Sequence, residues 1–170
     1  MSIEPSGERD LVAARGEALF CVLATRQHAT RGFLFDIPRH LGEKKRSVDY
    51  FVELFEPGDV AAFFLAQVKT TREGYTRDNR LKVAVSRADL ERLATYPAPT
   101  YVVGIDIVEQ RGYIVAATGA TRAGFSSMCT DYPLTPNTLA ILRDEVEAFG
   151  QSSMSSGFRS RLADPRLSEP

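Results

Sequence analysis

Three polar residues interrupt two otherwise apolar stretches of the sequence and together offer a carboxylate, an amide oxygen and an ammonium group. Asp49 lies in residues 48–54, and Gln67 and Lys69 lie in residues 63–71. Both stretches are rich in aromatic and β-branched residues, and Pro57-Gly58 lies between them, a pattern that predicts a strand, a turn and a second strand. Burying an amide or ammonium group without a partner costs free energy, so these interruptions call for an explanation.

The predicted hairpin brings the three polar groups together. In an antiparallel pair about Pro57-Gly58, the numbers of opposite residues sum to about 115 or 116, so Asp49 falls beside Ala66 or Gln67. Gln67 and Lys69 share one face, and cross-strand Cβ atoms lie ~4.5–5.5 Å apart. Glu53 shares the face of Asp49 but lies ~13 Å further along the strand, which sets it aside.

A carboxylate and an amide oxygen beside an ammonium group suit divalent-metal chemistry on a phosphodiester. Mg²⁺ prefers hard oxygen ligands and keeps several waters, so one or two protein oxygens can hold it beside a phosphate. Asp49 and Gln67 would supply those oxygens, and Lys69 would orient water or stabilise charge in the transition state. The alternative is structural: an ion pair of Asp49 with Lys69 at a sheet edge, with Gln67 bonded to the backbone.

The order of Asp49, a hairpin and Gln67-Val68-Lys69 resembles the Asp…(Glu/Gln)-x-Lys core of the PD-(D/E)XK nuclease superfamily. More narrowly, it is similar to a small prokaryotic family within it that is known mainly as a domain of unknown function. The likeness begins at Arg15 and ends at Ile114, roughly the first two thirds of the chain. It implies an α/β (α+β) fold with a central mixed sheet flanked by helices, and Mg²⁺ or Mn²⁺ bound by Asp49 and Gln67.

The resemblance also brings in Glu17, because several such nucleases use an acidic residue of the first helix as a metal ligand. Helical periodicity, at about 100° per residue, argues against this role. It places Glu17 nearly opposite an apolar stripe formed by Leu11, Val12, Leu19, Val22 and Leu23. The second departure from the superfamily pattern is Gln67 itself. An amide in place of an acid removes one negative charge and predicts weaker metal binding.

Two basic segments next to these residues are candidates for contact with nucleic acid. The first comes just before Asp49 and contains Lys44, Lys45 and Arg46; the second follows Lys69 and contains Arg72, Tyr75, Arg77 and Arg80. Basic side chains neutralise phosphates, and a tyrosine can stack on a base. Solvated, mobile loops are the alternative interpretation of both segments.

Composition limits the class of protein. The chain has 170 residues with 44% hydrophobic side chains, which is enough for one core. The net charge of −1 gives no global basic field, so contact with DNA would require a local patch. The two cysteines lack a C-x-x-C motif, which fits reduced thiols rather than a disulfide framework. The sequence contains no apolar run of the kind that directs export or membrane insertion, so neither is expected. A cytoplasmic location follows as the expectation.

The predicted element order is α-β-β-β-β-α-β-β-α within one domain, residues 1–150. The helices are expected near residues 6–26, 89–93 and 136–150, and the strands near residues 32–37, 48–54, 63–71, 81–85, 100–108 and 113–117. Ser86 begins a capping-box-like helix start with Asp89 in place of Glu. The Ser-rich residues 151–170 are expected to form a flexible tail, although residues 158–162 could dock.

The leading functional expectation is a metal-dependent nuclease that hydrolyses DNA, in defence or in repair of mobile DNA. The resemblance leaves a homodimer open, since superfamily enzymes often pair to cut two strands. A competing expectation is a nuclease-fold module that no longer cuts and binds nucleic acid or a protein partner. A third is a small-molecule-binding or purely structural domain with an ion pair between Asp49 and Lys69.

Overall fold

Three helices and a mixed five-stranded sheet form the α+β fold of the described residues. The computed structural model describes residues 6–42, 46–58, 61–117, 123–152 and 158–166. In chain order the elements are α1 (Ser6–Ala24), β1 (Gln27–His28), β2 (Gly32–Phe33), β3 (Arg39–His40), β4 (Tyr50–Glu53), β5 (Phe63–Thr71), α2 (Arg87–Ala94), β6 (Thr100–Asp106), β7 (Arg111–Ala116) and α3 (Pro136–Gln151). The expected fold class, a mixed sheet flanked by helices, is confirmed.

The large sheet has the strand order β3-β4-β5-β6-β7. Only the β5–β6 pair is parallel; the other neighbours are antiparallel. Strands β1 and β2 form a separate antiparallel ribbon. All seven residues of β6 are buried, as expected of a central strand covered on both faces.

Each face of the sheet has its own hydrophobic cluster. Phe64 and Ala66 of β5 belong to a cluster with α1 and α3, whereas Leu65 belongs to a second cluster with α2. Side chains alternate along a strand, so Gln67 and Lys69 lie on the α2 side. The site residues therefore depend on α2 for their surroundings.

The predicted hairpin register is confirmed. Tyr50 pairs with Ala66 and Glu53 pairs with Phe63, a constant sum of 116. This sum is one of the two values expected from the position of Pro57-Gly58. The pairing fixes which residues of β5 lie beside the start of β4.

The strands expected at residues 81–85 and 32–37 are shorter or less regular in the structure than predicted. Leu81 makes isolated bridges to Tyr75 and Met128, and Val85 makes one to Phe125, so residues 81–85 do not form a continuous strand. Residues 32–37 contain only the two-residue β2 and a single bridge of Phe35 to Leu54. Leu81, Val83 and Val85 are buried, whereas in residues 32–37 only Leu34 and Phe35 are buried and Phe33 and Ile37 are exposed. Within the described residues, neither segment has a partner long enough to form a ladder of the predicted length.

Helix α1 buries only part of its predicted apolar stripe, since Leu23 is buried and Leu19 packs on the core but other members are exposed. Leu11 and Val22 are 66% and 62% exposed, whereas Phe20 is fully buried. The cause is Gly16, which is buried against Thr70 of β5 so closely that a Cβ atom would overlap the threonine side chain. This contact turns the helix so that its glycine side lies on the sheet.

The C-terminal residues 158–166 are part of the fold rather than a free tail. Leu162 is fully buried, and its carbonyl accepts the backbone N–H of Ala116 in β7 at 2.9 Å. The buried Glu145 of α3 accepts bonds from the Tyr101 and Ser160 hydroxyls, which fixes the segment further. Residues 158–162 are therefore docked on the domain, which was the alternative to a flexible tail. None of the helices described is both long and apolar enough to span a membrane.

Candidate metal and nucleic-acid site

Asp49 lies where β4 begins and β5 loses its neighbour. The ladder between the two strands ends at Tyr50 and Ala66, but β5 continues to Thr71. Asp49 bridges this end: its backbone N–H donates to the Ala66 carbonyl at 2.9 Å, and its Oδ2 accepts the Val68 N–H at 2.7 Å. Because backbone N–H groups point in the plane of a sheet, the carboxylate lies at the edge of β5.

Gln67 is the residue opposite Asp49 when the hairpin register is extended by one position. Its side chain is 4% exposed, and within the described ranges its Oε1 has no hydrogen-bond partner. A buried acceptor left unpaired costs about 1–3 kcal/mol, so such atoms call for a missing partner. An oxygen-seeking cation or a water molecule would satisfy this one.

Lys69 follows on the same face and is partly exposed. No carboxylate of the described chain lies within ion-pair distance of its ammonium group, so the alternative of an Asp49–Lys69 ion pair is not found. Its charge does act on Asp89 of α2. The pKa of Asp89 is lowered mainly by the Ser47 hydrogen bond, with smaller contributions from Ser86, Lys69 and Arg92.

Glu17 belongs to α1, on the face of the sheet opposite Gln67 and Lys69. The Tyr50 hydroxyl donates to its Oε2 at 3.3 Å, and His40 Nε2 lies 3.9 Å from the same oxygen. The side chain is 34% exposed, so it neither points freely into solvent nor sits beside Asp49 on the α2 side. The apolar stripe that placed Glu17 away from the core is only partly buried, because Leu11 and Val22 are exposed and Leu23 is buried.

Tyr50 and His40 are site neighbours that the sequence did not single out. Burial raises the pKa of Tyr50, and the nearby Cys21 and Glu17 raise it further. The His40 and Tyr50 rings pack edge to face at 5.3 Å, across the β3–β4 pair. Strand β3 has only two residues, too few for a strand pattern in the sequence, and the His40 side chain on it is 48% exposed.

Two cavities meet at Lys69. The first has a volume of about 400 Å³ and is bordered by Glu17 and Arg9 of α1 and by the open edge of β5. The second, of about 490 Å³, is bordered by Lys82, Ser126 and Ser127. Lys69 lines both cavities, and Glu17 borders the first of them from the other side of the sheet.

The predicted nucleic-acid contacts divide into three groups. Lys44 and Lys45 lie outside the described residues. Arg46 and Arg77 are exposed, and Arg77 makes no ion pair with any residue that the structure describes. Arg72 is exposed as well but pairs with Glu8 of α1 at 2.7 Å, next to the first cavity.

Arg80 requires a correction, because its guanidinium group is buried in a structural ion pair. It donates two bonds to Asp164, at 3.2 and 2.6 Å, and the two side chains are 9% and 0% exposed. This placement removes Arg80 from the arginines available to phosphates. Tyr75 is also engaged, since its hydroxyl lies 3.0 Å from that of Tyr113, although its ring remains partly exposed.

The donor atoms fit a weakly held hard cation. Asp49 and Gln67 offer one carboxylate and one orphaned amide oxygen, the ligand type that Mg²⁺ accepts when waters complete its shell. Within the described ranges, no three His, Cys, Asp or Glu residues form a group that could hold a metal ion. A site here would thus be open and water-rich rather than a closed protein cage.

The chain matches no protein-family model, and comparison with curated proteins and with solved structures finds no similar chain.

Proposed function

We propose that the chain is a divalent-metal-dependent nuclease that hydrolyses phosphodiester bonds of DNA. The observation that carries the proposal is the grouping at the start of β4: the Asp49 carboxylate, the Lys69 ammonium group and Gln67 Oε1, which has no hydrogen-bond partner among the described residues. Asp49, Gln67 and Lys69 lie where β5 is left without its β4 neighbour, and Lys69 lines the two cavities there. The resemblance to PD-(D/E)XK nucleases in residue order points the same way.

Asp49 and Gln67 would hold Mg²⁺ or Mn²⁺ through their oxygens. A bound divalent ion supplies charge stabilisation at phosphate oxygens and an acidified water in phosphodiester hydrolysis. The Lys69 ammonium group has no paired carboxylate among the described residues, so it can attract a phosphate group into the cavities and stabilise negative charge that develops on it. Glu17 borders the first cavity and is placed to bind a water molecule there.

DNA would be held by local charge, since the net charge of the chain is −1. Lys69 and Lys82 both line the second cavity, and Arg9 and Arg72 line the first. Arg46 and Arg77 are exposed on the segments that lead to and from the site. Cations at these positions neutralise phosphates without requiring a basic protein overall.

A second function is favoured by one observation: Asp49 Oδ2 already accepts the Val68 N–H at 2.7 Å. A carboxylate that caps a strand edge, with an amide in place of a second acid, suits a nuclease-fold module that binds nucleic acid or a protein partner without cutting. If the chain is such a binding module, the same basic side chains bind DNA, and no metal ion is needed.

Cleavage of DNA in Mg²⁺, in Mn²⁺ and with chelator separates the two functions. For the nuclease, Asp49→Ala, Gln67→Ala and Lys69→Ala each abolish metal-dependent cleavage while circular dichroism shows an intact fold. Glu53→Gln is the matched control, because Glu53 lies on the neighbouring strand and pairs with Arg39 at 3.0 Å, away from the site.

Full cleavage by all three variants would rule out the proposed site. DNA binding that is equal with and without Mg²⁺, and never accompanied by cleavage, would favour the binding module.

A further inference from the structure

The residues that lead into Asp49 are docked one after another on α2 and the turn that follows it. The Arg46 carbonyl accepts the Tyr96 hydroxyl at 3.5 Å, and Val48 is 1% exposed in the α2 cluster. Ser47, between them, has a φ of 65°, which a serine rarely adopts. A strained backbone of this kind persists only where surrounding contacts fix it.

Those contacts are made by two side chains of α2. The Ser47 hydroxyl donates to Asp89 Oδ1 and accepts from Arg92 at 2.8 Å, so both of its hydrogen-bonding roles are filled. The other oxygen of Asp89 accepts the Ser86 hydroxyl at 2.8 Å. The Asp89 carboxylate is thereby held between the start of α2 and the segment before Asp49.

We infer that Asp89, acting through Ser47, is a positioning residue that sets the Asp49 carboxylate against the edge of β5. Ser47 is only two residues from Asp49, so a shift of the serine moves the carboxylate that accepts the Val68 N–H. The position of Asp49 thus depends on α2, 40 residues later in the chain. The consequence for catalysis rests on the proposed nuclease function; the positioning itself does not.

Helix capping alone does not account for these contacts. Ser86 and Asp89 form the expected capping pair, in which the Ser86 side chain accepts the Asp89 N–H at 3.1 Å. That pair needs neither Ser47 nor Arg92. The charge of Lys69 also acts on Asp89, which places this carboxylate near a second site residue.

The backbone amide of Val68 reports the positioning directly by NMR, without any nuclease activity. Its proton is hydrogen-bonded to a carboxylate in the wild type, and Asp49→Ala gives the resonance of the released state. We expect Ser47→Ala and Asp89→Ala to move the Val68 resonance toward that of Asp49→Ala and to speed its hydrogen exchange about fivefold or more. Glu91→Ala is the control, since Glu91 is exposed on α2 and, among the described residues, its ion pair is with Arg87.

Asp89→Ala could also loosen α2, because Asp89 belongs to the cap of that helix. Ser47→Ala leaves the cap intact, so its result decides the outcome in that case. A Val68 resonance and exchange rate that match those of Glu91→Ala would overturn the inference. Cleavage is measured separately: a lower kcat with unchanged KM in Ser47→Ala extends the positioning to catalysis. Absence of cleavage by the wild type would contradict the proposed nuclease function. The Val68 resonance and exchange rate would still decide whether Ser47 and Asp89 position Asp49.

Discussion

The Asp49 carboxylate accepts the backbone N–H of Val68 at 2.7 Å, just before β4 begins, where β5 continues without this neighbour. One residue thus closes the sheet edge and offers the only carboxylate proposed for the metal on the α2 side. These two tasks differ in what they need: the edge needs an acceptor, and the metal needs a charge. Substitutions of Asp49 can therefore separate them.

Asp49→Asn should retain more stability than Asp49→Ala, while both lose cleavage. Alanine leaves the Val68 N–H unpaired and should lower the free energy of unfolding by about 1–3 kcal/mol. Asparagine keeps an acceptor but no charge, so its stability loss should be smaller and its metal-dependent cleavage absent. Urea unfolding and a cleavage assay measure the two effects. Full cleavage by the asparagine variant would show that the charge of Asp49 is not needed.

Gln67→Glu should bind Mn²⁺ more tightly than the wild type, although it is less stable without metal. The new carboxylate adds a negative charge where an amide oxygen is now buried and unpaired, and an unpaired buried charge is costly. Thermal unfolding with increasing Mn²⁺ should show a larger rise in Tm for Gln67→Glu than for the wild type. Gln67→Leu, which removes the oxygen, is the control and should show no rise from this site. Equal rises in all three proteins would place the metal elsewhere.

The sequence could predict the hairpin because its register depends on a nearby turn. Asp49 and Gln67 were placed correctly for that reason. The orientation of Glu17 could not be predicted, because Gly16 turns α1 through a close contact with Thr70 that no apolar pattern encodes. Asp89 was recognised only as a capping residue, since its bond to Ser47 joins residues that are 42 apart.

The burial of Arg80 could not be predicted from the sequence either, because its partner Asp164 is 84 residues away. Arg80→Ala should lower the free energy of unfolding by about 3–5 kcal/mol, since it leaves a fully buried carboxylate without its cation. Arg77→Ala, at an exposed position in the same segment, should leave stability unchanged and weaken DNA binding. Urea unfolding and a binding titration of both variants test this. Wild-type stability in Arg80→Ala would contradict the structural role of the ion pair.

Asp164 should make stability depend on pH in the acid range. Burial alone would raise its pKa, but the hydrogen bonds from Arg80 and from the Arg166 and Cys129 N–H groups hold that pKa below its ordinary value. A lowered pKa means that the stabilisation is complete above the ordinary value of about 3.9 and is lost as the pH falls through the folded-state value. The difference in unfolding free energy between wild type and Asp164→Asn should therefore be largest near neutral pH and shrink below about pH 4.

Urea unfolding of both proteins at several pH values measures that difference. Asp78→Asn is the control, because Asp78 pairs with Arg166 at an exposed position and should show little effect. A difference for Asp164→Asn that stays constant from neutral to acid pH would contradict the predicted linkage.

Gly16→Ala should destabilise the fold and disturb the site, although alanine favours helices. The added Cβ would overlap the Thr70 side chain, so α1 must move away from β5 and carry Glu17 with it. We expect a loss of about 1–3 kcal/mol in the free energy of unfolding, as for other overpacked contacts. Gly7→Ala, where the new methyl group meets open space in the same helix, should instead be neutral or stabilising. Combining Gly16→Ala with Thr70→Gly should restore part of the loss, because the second change removes the overlapping side chain; no recovery would mean that α1 is held to the sheet by other contacts.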